Sequence, residues 1–198
     1  MACRVSATAT CTLPTPLHQQ ESDEHSGCAG AQPDGEWGVL KVGCVNGYQF
    51  DPREQKALPS HLDAPAECEV VEGDVLLSRG NTAELVGMVA AIGPVRSRLL
   101  LSDLLYRLRA DENQVNAHFF SHSLRSAVGR YQIESAATGT SASMKKISQG
   151  DIRELRIALP PVHEQRDIVA ALATELQRPA AGRFSRNRRG CSRRSSRS

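Results

Sequence analysis

Leu159-Pro-Pro-Val-His-Glu-Gln-Arg-Asp-Ile-Val169 decides the architecture. A short apolar run, Ile157-Ala-Leu159, meets a double proline. A strand can lead into such a pair but cannot run through it. Pro161 then suits the first turn of a helix, where its missing N–H is no loss. From Val162 to Gln177 the apolar spacing is helical. Val162, Gln165, Val169, Leu172 and Leu176 recur at intervals of three and four, the spacing of a coiled-coil seam. Two heptads fit an ordinary core-packed helix equally well. Pro179 ends the element.

Working upstream, Ser148 with Asp151 three residues on reads as a capping box opening a short helix. Before it, Thr138-Gly-Thr-Ser-Ala-Ser-Met-Lys-Lys146 is small, polar and flexible, and reads as a loop. Asn116 is placed to cap a helix running to about Arg130, with Phe119, Phe120, Leu124 and Val128 facing the core. Val75–Ser78 after the Glu72-Gly-Asp74 turn, Met88–Ile92 and Leu104–Arg109 read as strands. In the last, alternation sets Leu104, Tyr106 and Leu108 against Arg107 and Arg109. Glu36–Val42 reads as a first strand, followed by a turn at Asn46-Gly47. Residues 51–72 read as a loop with a short helix. The fold class is α+β: a twisted, mostly antiparallel β-sheet with flanking helices, followed by the start of a coiled-coil spacer helix.

The 198 residues are enough for one medium domain and an appendage. The expected divisions are a disordered or non-native segment over 1–35, a domain over 36–160, the spacer helix over 161–177 and a disordered tail over 178–198. The formal charge of +2 hides an asymmetry, because eight of the 24 basic residues are arginines of that tail. The rest of the chain carries six more acids than bases. An acidic domain excludes a generic polyanion binder and confines any nucleic-acid contact to a local patch. No apolar run has the roughly 20 residues of a membrane span. The six cysteines, Cys3, Cys11, Cys28, Cys44, Cys68 and Cys191, form no C-x-x-C pair and read as reduced thiols, which points to the cytoplasm.

No catalytic constellation stands out. Asp74, Glu84 and Asp103 read as turn-capping or solvated acids. His118 and His122 share a helical face without a third metal ligand. No nucleophile elbow or phosphate loop is present, so no metal or cofactor is expected. The binding signals are stronger. Ser78-Arg-Gly-Asn-Thr82 ends a strand with a guanidinium suited to guanine or phosphate and an amide suited to adenine. The alternative is that Arg79 serves an ion pair and Asn81 a turn. Thr138, Thr140, Lys145 and Lys146 could follow a phosphate backbone. Lys41, Asn46 and Tyr48 around the first turn could reach a groove.

Taken together, Leu40-Lys-Val-Gly43, Gly73-Asp-Val-Leu76, Ser78-Arg-Gly-Asn81, Leu85-Val-Gly87 and Leu159-Pro-Pro161 with Glu164-Gln165 and Ile168 stand in a fixed order. Over roughly residues 35–177 the chain resembles the target-recognition domain of the DNA-specificity (S) subunit of type I restriction–modification systems. The resemblance implies a non-catalytic module whose loops read one half of a split target in double-stranded DNA. It implies that the methyltransferase and endonuclease subunits of the same system are directed to that site, and that S-adenosylmethionine, ATP and Mg are used by those partners. It gives Val162, Gln165, Val169, Leu172 and Leu176 a partner-binding role, with self-association as a second use. A full S subunit has two such domains and two long helices, so a truncated or half-length form is expected. Two other readings stay open: an interaction fragment that binds methyltransferase or S subunits without reading DNA, and a remnant of a fused restriction–methylation enzyme.

Overall fold

The computed structural model describes residues 2–4, 7–8, 36–47, 49–109, 111, 113–141 and 144–177. In chain order the strands are β1 (Ala2–Arg4), β2 (Ala7–Thr8), β3 (Gly38–Leu40), β4 (Gln55–Ala57), β5 (Val75–Ser78), β6 (Gly80–Asn81), β7 (Val89–Ala91), β8 (Leu99–Leu100), β9 (Leu105–Leu108), β10 (Thr138–Ser141), β11 (Met144–Lys146) and β12 (Arg156–Ala158). The α-helices are α1 (Ala117–Arg125), α2 (Ala127–Ala136), α3 (Gln149–Glu154) and α4 (Val162–Gln177). The architecture is the expected α+β one, built from small sheets, with β3–β8 the single parallel pairing among the named strands.

The organising sheet has the order β2-β9-β5-β7, antiparallel throughout, with Val75 opposite both Ala91 and Leu108. Strand side chains alternate between faces, and here both faces are covered. Val75, Leu77, Val89, Tyr106 and Leu108 enter one core with Phe120, Leu124, Ile133, Ile152 and Ile157 from the helical side. Leu76, Ala90 and Leu105 enter a second core with Leu40, Val45, Val70, Leu99 and Leu101. The alternation read in β9 holds, and the double burial encloses its second face as well. Arg107 is not on a solvated face but buried beside Leu105's core. Its Nε lies 3.2 Å from Asp74 Oδ2, and its Nη2 donates to Glu69 O at 2.6 Å and Cys68 O at 3.4 Å. Burial pushes the guanidinium pKa down, while Asp74 opposes the shift. The arginine thus ties the turn at residues 66–69 to the central sheet.

Several local expectations hold. The capping box is formed, with Ser148 Oγ accepting from Asp151 N at 3.1 Å and Asp151 Oδ2 accepting from Ser148 N at 3.0 Å. Asn116 caps α1 through Phe119 N. The helix does not run on to Arg130, however. Ser126 is extended (ψ 162°) and its Oγ accepts from Gly129 N, starting a second helix. The break resets the helical phase, so Val128 is 69% exposed and Ile133 takes the core position. Gly129 is required at the junction, because a Cβ there would sit 2.5 Å from both Ser123 O and Leu124 O.

Three further expectations are corrected. Residues 51–72 are more than loop and short helix, since β4 within them pairs with β3; the turn expected at Asn46-Gly47 is present, after a 3-10 turn over Val42–Val45. Residues 138–141 and 144–146 are not a free loop but the antiparallel strands β10 and β11, added to the edge of β6. Residues 2–4 pair with β12 and residues 7–8 with β9, so the sheets recruit backbone from before residue 36. The rest of 1–35 and the tail 178–198 lie outside the described residues. Cys44 is a free buried thiol, pushed up to about 12 by burial and then by Glu54 and Asp51. Cys68 is disulfide-bonded, against the expectation of reduced thiols. Among the described residues, no helix is long and apolar enough to cross a membrane.

Candidate nucleic-acid interface

The loop between β5 and β7 is held by Ser78, whose side chain is wholly buried. Its Oγ donates to Leu85 O at 2.9 Å and accepts from Met88 N at 3.0 Å. Gly87 follows with φ +66°, and a Cβ there would sit 2.3 Å from Ile133 Cγ2. Ser78 and Gly87 therefore fix the base of the loop against the core, and the intervening residues project as β6. The small sheet β10-β11-β6 is built on that projection, with Lys145 opposite Asn81 and Lys146 opposite Gly80.

This arrangement brings together residues from three separate segments. Asn81 Nδ2 donates to Asn46 Oδ1 at 3.3 Å, joining β6 to the end of the 3-10 turn. Asn81 Oδ1 accepts from Thr82 N at 2.9 Å. Lys145 Nζ donates to Gly139 O at 2.7 Å across the hairpin. Thr138 is the cross-strand partner of Lys146. Because successive strand residues face opposite ways, the two lysines do not act as a pair. Lys145 is half-buried over the Asn81 side of the sheet, while Lys146 and Met144 are exposed. A Cβ on Gly80 would be 3.6 Å from Lys146 Cγ and 3.9 Å from Met144 Sδ, which places both over that glycine. Gly139, at φ +141°, lets the hairpin close, since a Cβ there would be 2.5 Å from Met144 O.

Arg79 is half-buried. Its guanidinium carbon stands 5.9 Å from the centroid of the Tyr106 ring, and Nη1 is 3.5 Å from Asp103 O. Nothing in the order of residues signals this platform for Arg79, although the alternation of β9 puts Tyr106 on a defined face. Thr82 and Lys41 are exposed. Thr140 is placed by its backbone alone, on β10, and Tyr48 lies outside the described residues. Beside Asn46, an open cavity of about 640 Å³ is lined by Gly43, Gln49, Phe50, Asp51, Arg53 and Glu54 among others. Asp51 and Arg53 pair with each other at 2.9 Å. The arginine's hydrogen bonds hold the Asp51 carboxyl below its usual pKa. Asp51, Arg53 and Glu54 fall in the stretch 51–72 that reads as a loop with a short helix from sequence alone.

The α4 seam divides in two. Gln165 is wholly buried: its Oε1 accepts from Asn116 N at 2.8 Å, and its Nε2 donates to Gln114 O and Pro160 O, each at 2.8 Å. Its amide is spent inside the domain, so it is not an open partner-binding position. Val162 and Val169 are half-buried. Ile168, Leu172 and Leu176 are 41%, 38% and 51% exposed. On α1, burial first, then His118 and Arg125, lower the His122 pKa. Among the described residues, no group of three His, Cys, Asp or Glu side chains is placed to hold a metal.

No protein-family profile matches the chain. Over 136 residues, 69% of its length, it is 30% identical to the type I restriction enzyme EcoEI specificity subunit of Escherichia coli, of which it spans 23%. It is 28% identical over 108 residues to the putative type I restriction enzyme MjaX specificity subunit of Methanocaldococcus jannaschii. It is 31% identical over 97 residues to the type I restriction enzyme StySPI specificity subunit of Salmonella potsdam. The chain thus spans about a quarter or less of each curated relative, at 23%, 25% and 21%. Among solved structures, the HsdS subunit from Thermoanaerobacter tengcongensis superposes with a TM-score of 0.59 at 20% identity, over 89% of this chain and 42% of that one. A second solved chain, from work on complex assembly and conformational transition of the type I R-M system, gives 0.59 at 17% identity. Those two likenesses show the fold. Over those 136 residues the chain is related to the specificity subunits of type I restriction enzymes.

Proposed function

We propose that this chain reads one half of a split target in double-stranded DNA, and that the reading surface is the sheet β10-β11-β6 with the adjoining turn at Asn46. One observation carries the reading: residues 46, 79–82, 138–141 and 144–146, far apart in sequence, converge on one small sheet whose two faces carry amides, hydroxyls and cations. That is the residue chemistry which positions on phosphates and discriminates base edges. The patch is local, as an otherwise acidic domain requires. Lys146 and Thr138 on the open face are assigned to phosphate, with Lys41, Thr82 and Thr140 at the margin. Arg79, Asn81, Asn46 and Lys145 are assigned to the base-facing side.

Titration of duplexes bearing split sites, at low and moderate salt, tests the reading. Binding that prefers some sequences and weakens with salt supports it. Binding that is indifferent to sequence at every salt concentration refutes it.

The exposed apolar residues of α4 favour a second role alongside the first. Ile168, Leu172 and Leu176 leave an uncovered stripe on a helix of about 24 Å. We assign it, with Val162 and Val169 at its root, to contact with a second spacer helix or a methyltransferase subunit of the same system. S-adenosylmethionine, ATP and Mg would then be used by the partner subunits. Sedimentation of the chain with and without Leu172→Glu and Leu176→Glu separates the two roles. Association lost while the fold survives places the stripe at the interface. A wild-type chain that stays monomeric and ignores a co-expressed methyltransferase subunit removes it.

A further inference from the structure

The hydrogen bonds at the reading surface have a direction, and the direction restricts what can be read. The chain begins at a backbone N–H, which can only donate. Thr82 N donates to Asn81 Oδ1 at 2.9 Å, so the Asn81 amide is fixed with its oxygen toward the backbone and its nitrogen outward. That nitrogen donates to Asn46 Oδ1 at 3.3 Å, so the Asn46 amide is fixed in turn, with its nitrogen away from Asn81. Each step orients the next. The unspent groups at the end of the relay are the two N–H bonds of Asn46 and the second N–H of Asn81. Lys145, opposite Asn81, contributes further donors beyond the one given to Gly139 O. The surface is therefore donor-rich. A two-pronged contact from Asn81 to adenine is disfavoured, because one lone pair of its oxygen already accepts from Thr82 N and one of its N–H bonds is given to Asn46.

Asn46 lines the open cavity of about 640 Å³, and so do the carboxylates of Asp51 and Glu54. Glu54 lies across Gly43, where a Cβ would be 2.6 Å from Glu54 Oε2. Asp51 is already paired with Arg53, so the carboxylate left beside the donors is that of Glu54, which disfavours a phosphate there by charge repulsion. A neutral base edge has no such penalty. In the major groove, guanine offers two adjacent acceptors, O6 and N7, and its partner cytosine offers an amino donor. The donors of Asn46, which lines the same cavity as Glu54, match that order together with the Glu54 carboxylate.

We propose that the Asn46–Asn81 relay is the specificity-determining element of the reading surface, and that it selects a guanine·cytosine pair through guanine O6 and N7. This rests on the DNA-reading function proposed above. The test is selection from a randomised duplex pool with the full chain, compared among wild type, Asn46→Asp and Lys146→Ala. The wild-type pool should be enriched in a guanine at one position. Asn46→Asp, which replaces the donors with an acceptor, should lose that guanine, while Lys146→Ala should keep it. Replacing that guanine by 7-deazaguanine in a duplex bound by the wild-type chain should weaken binding about ten-fold, the effect of one good base-edge contact. This arm does not depend on how the variant folds. Enrichment with no such guanine, or a preference that survives both Asn46→Asp and the deaza substitution, overturns the relay and leaves the DNA-reading function standing. No enrichment at all overturns both.

Discussion

Gln165→Ala should loosen the attachment of α4 to the domain without touching the reading surface. The wild-type side chain is wholly buried and makes three hydrogen bonds of 2.8 Å, one accepted and two donated. Each such bond contributes about 1 kcal/mol net. Truncation also leaves the Asn116 N–H and two carbonyls in need of partners, and water entering the small cavity offsets part of that cost. The sum is about 3 kcal/mol, which for a domain of this size corresponds to a fall in Tm of roughly 10 °C. Gln165→Glu should do no better, because it turns the donating nitrogen into an oxygen facing two carbonyl oxygens. Thermal melts followed by circular dichroism give the answer. Leu172→Glu serves as the control, and its exposed position predicts a change within about 0.5 kcal/mol. If Gln165→Ala melts within about 2 °C of wild type, the amide does not anchor the helix and the division of the seam is wrong.

Gly87→Ala should destabilise by at least about 2 kcal/mol in urea titration, since it places a Cβ at positive φ and against Ile133; an unchanged midpoint refutes this. Lys146→Ala should lower affinity for all sequences alike and reduce the salt slope by about one unit. Lys145→Ala should act less through charge, because its ammonium already serves Gly139 O; gel-shift titrations over a salt series compare them. His122, with its pKa lowered mainly by burial, contributes stability that is fully present above the ordinary imidazole value and is lost as pH falls through the depressed folded value. His122→Gln should flatten stability over that window in urea melts taken from neutral to mildly acidic pH, and an unchanged pH profile counts against it.

What the sequence made legible was what is encoded locally. The α4 bounds, Val162–Gln177, follow from Pro161 and the apolar spacing. The Ser148–Asp151 capping box needs only four residues. Strands β5, β7 and β9 are short runs of apolar residues between turn signals. What stayed hidden depends on partners distant in the chain. Lys145 and Lys146 carry no strand signal of their own, and β11 exists because β6 offers it an edge. Arg107 alternates as a solvated residue would, and only the second core explains its burial. Gln165 has the spacing of a seam residue, yet its neighbours are the backbone at residues 114–116 and 160. The site was half visible: residue types at Asn46, Asn81 and Lys145 were recognised singly. Their contact, and the polarity it imposes, exist only in three dimensions.

The reading sheet and the cores share almost no side chains. Asn46, Asn81 and Lys145 are half-buried and Thr138 and Lys146 exposed, and the loop is gripped instead by Ser78, Gly87 and Ile147 at its base. Mutational drift in the residues proposed to recognise DNA is therefore decoupled from folding. A lineage could exchange the target it responds to by a few substitutions at the rim, while the buried scaffold and its helical arm stay under unchanged selection.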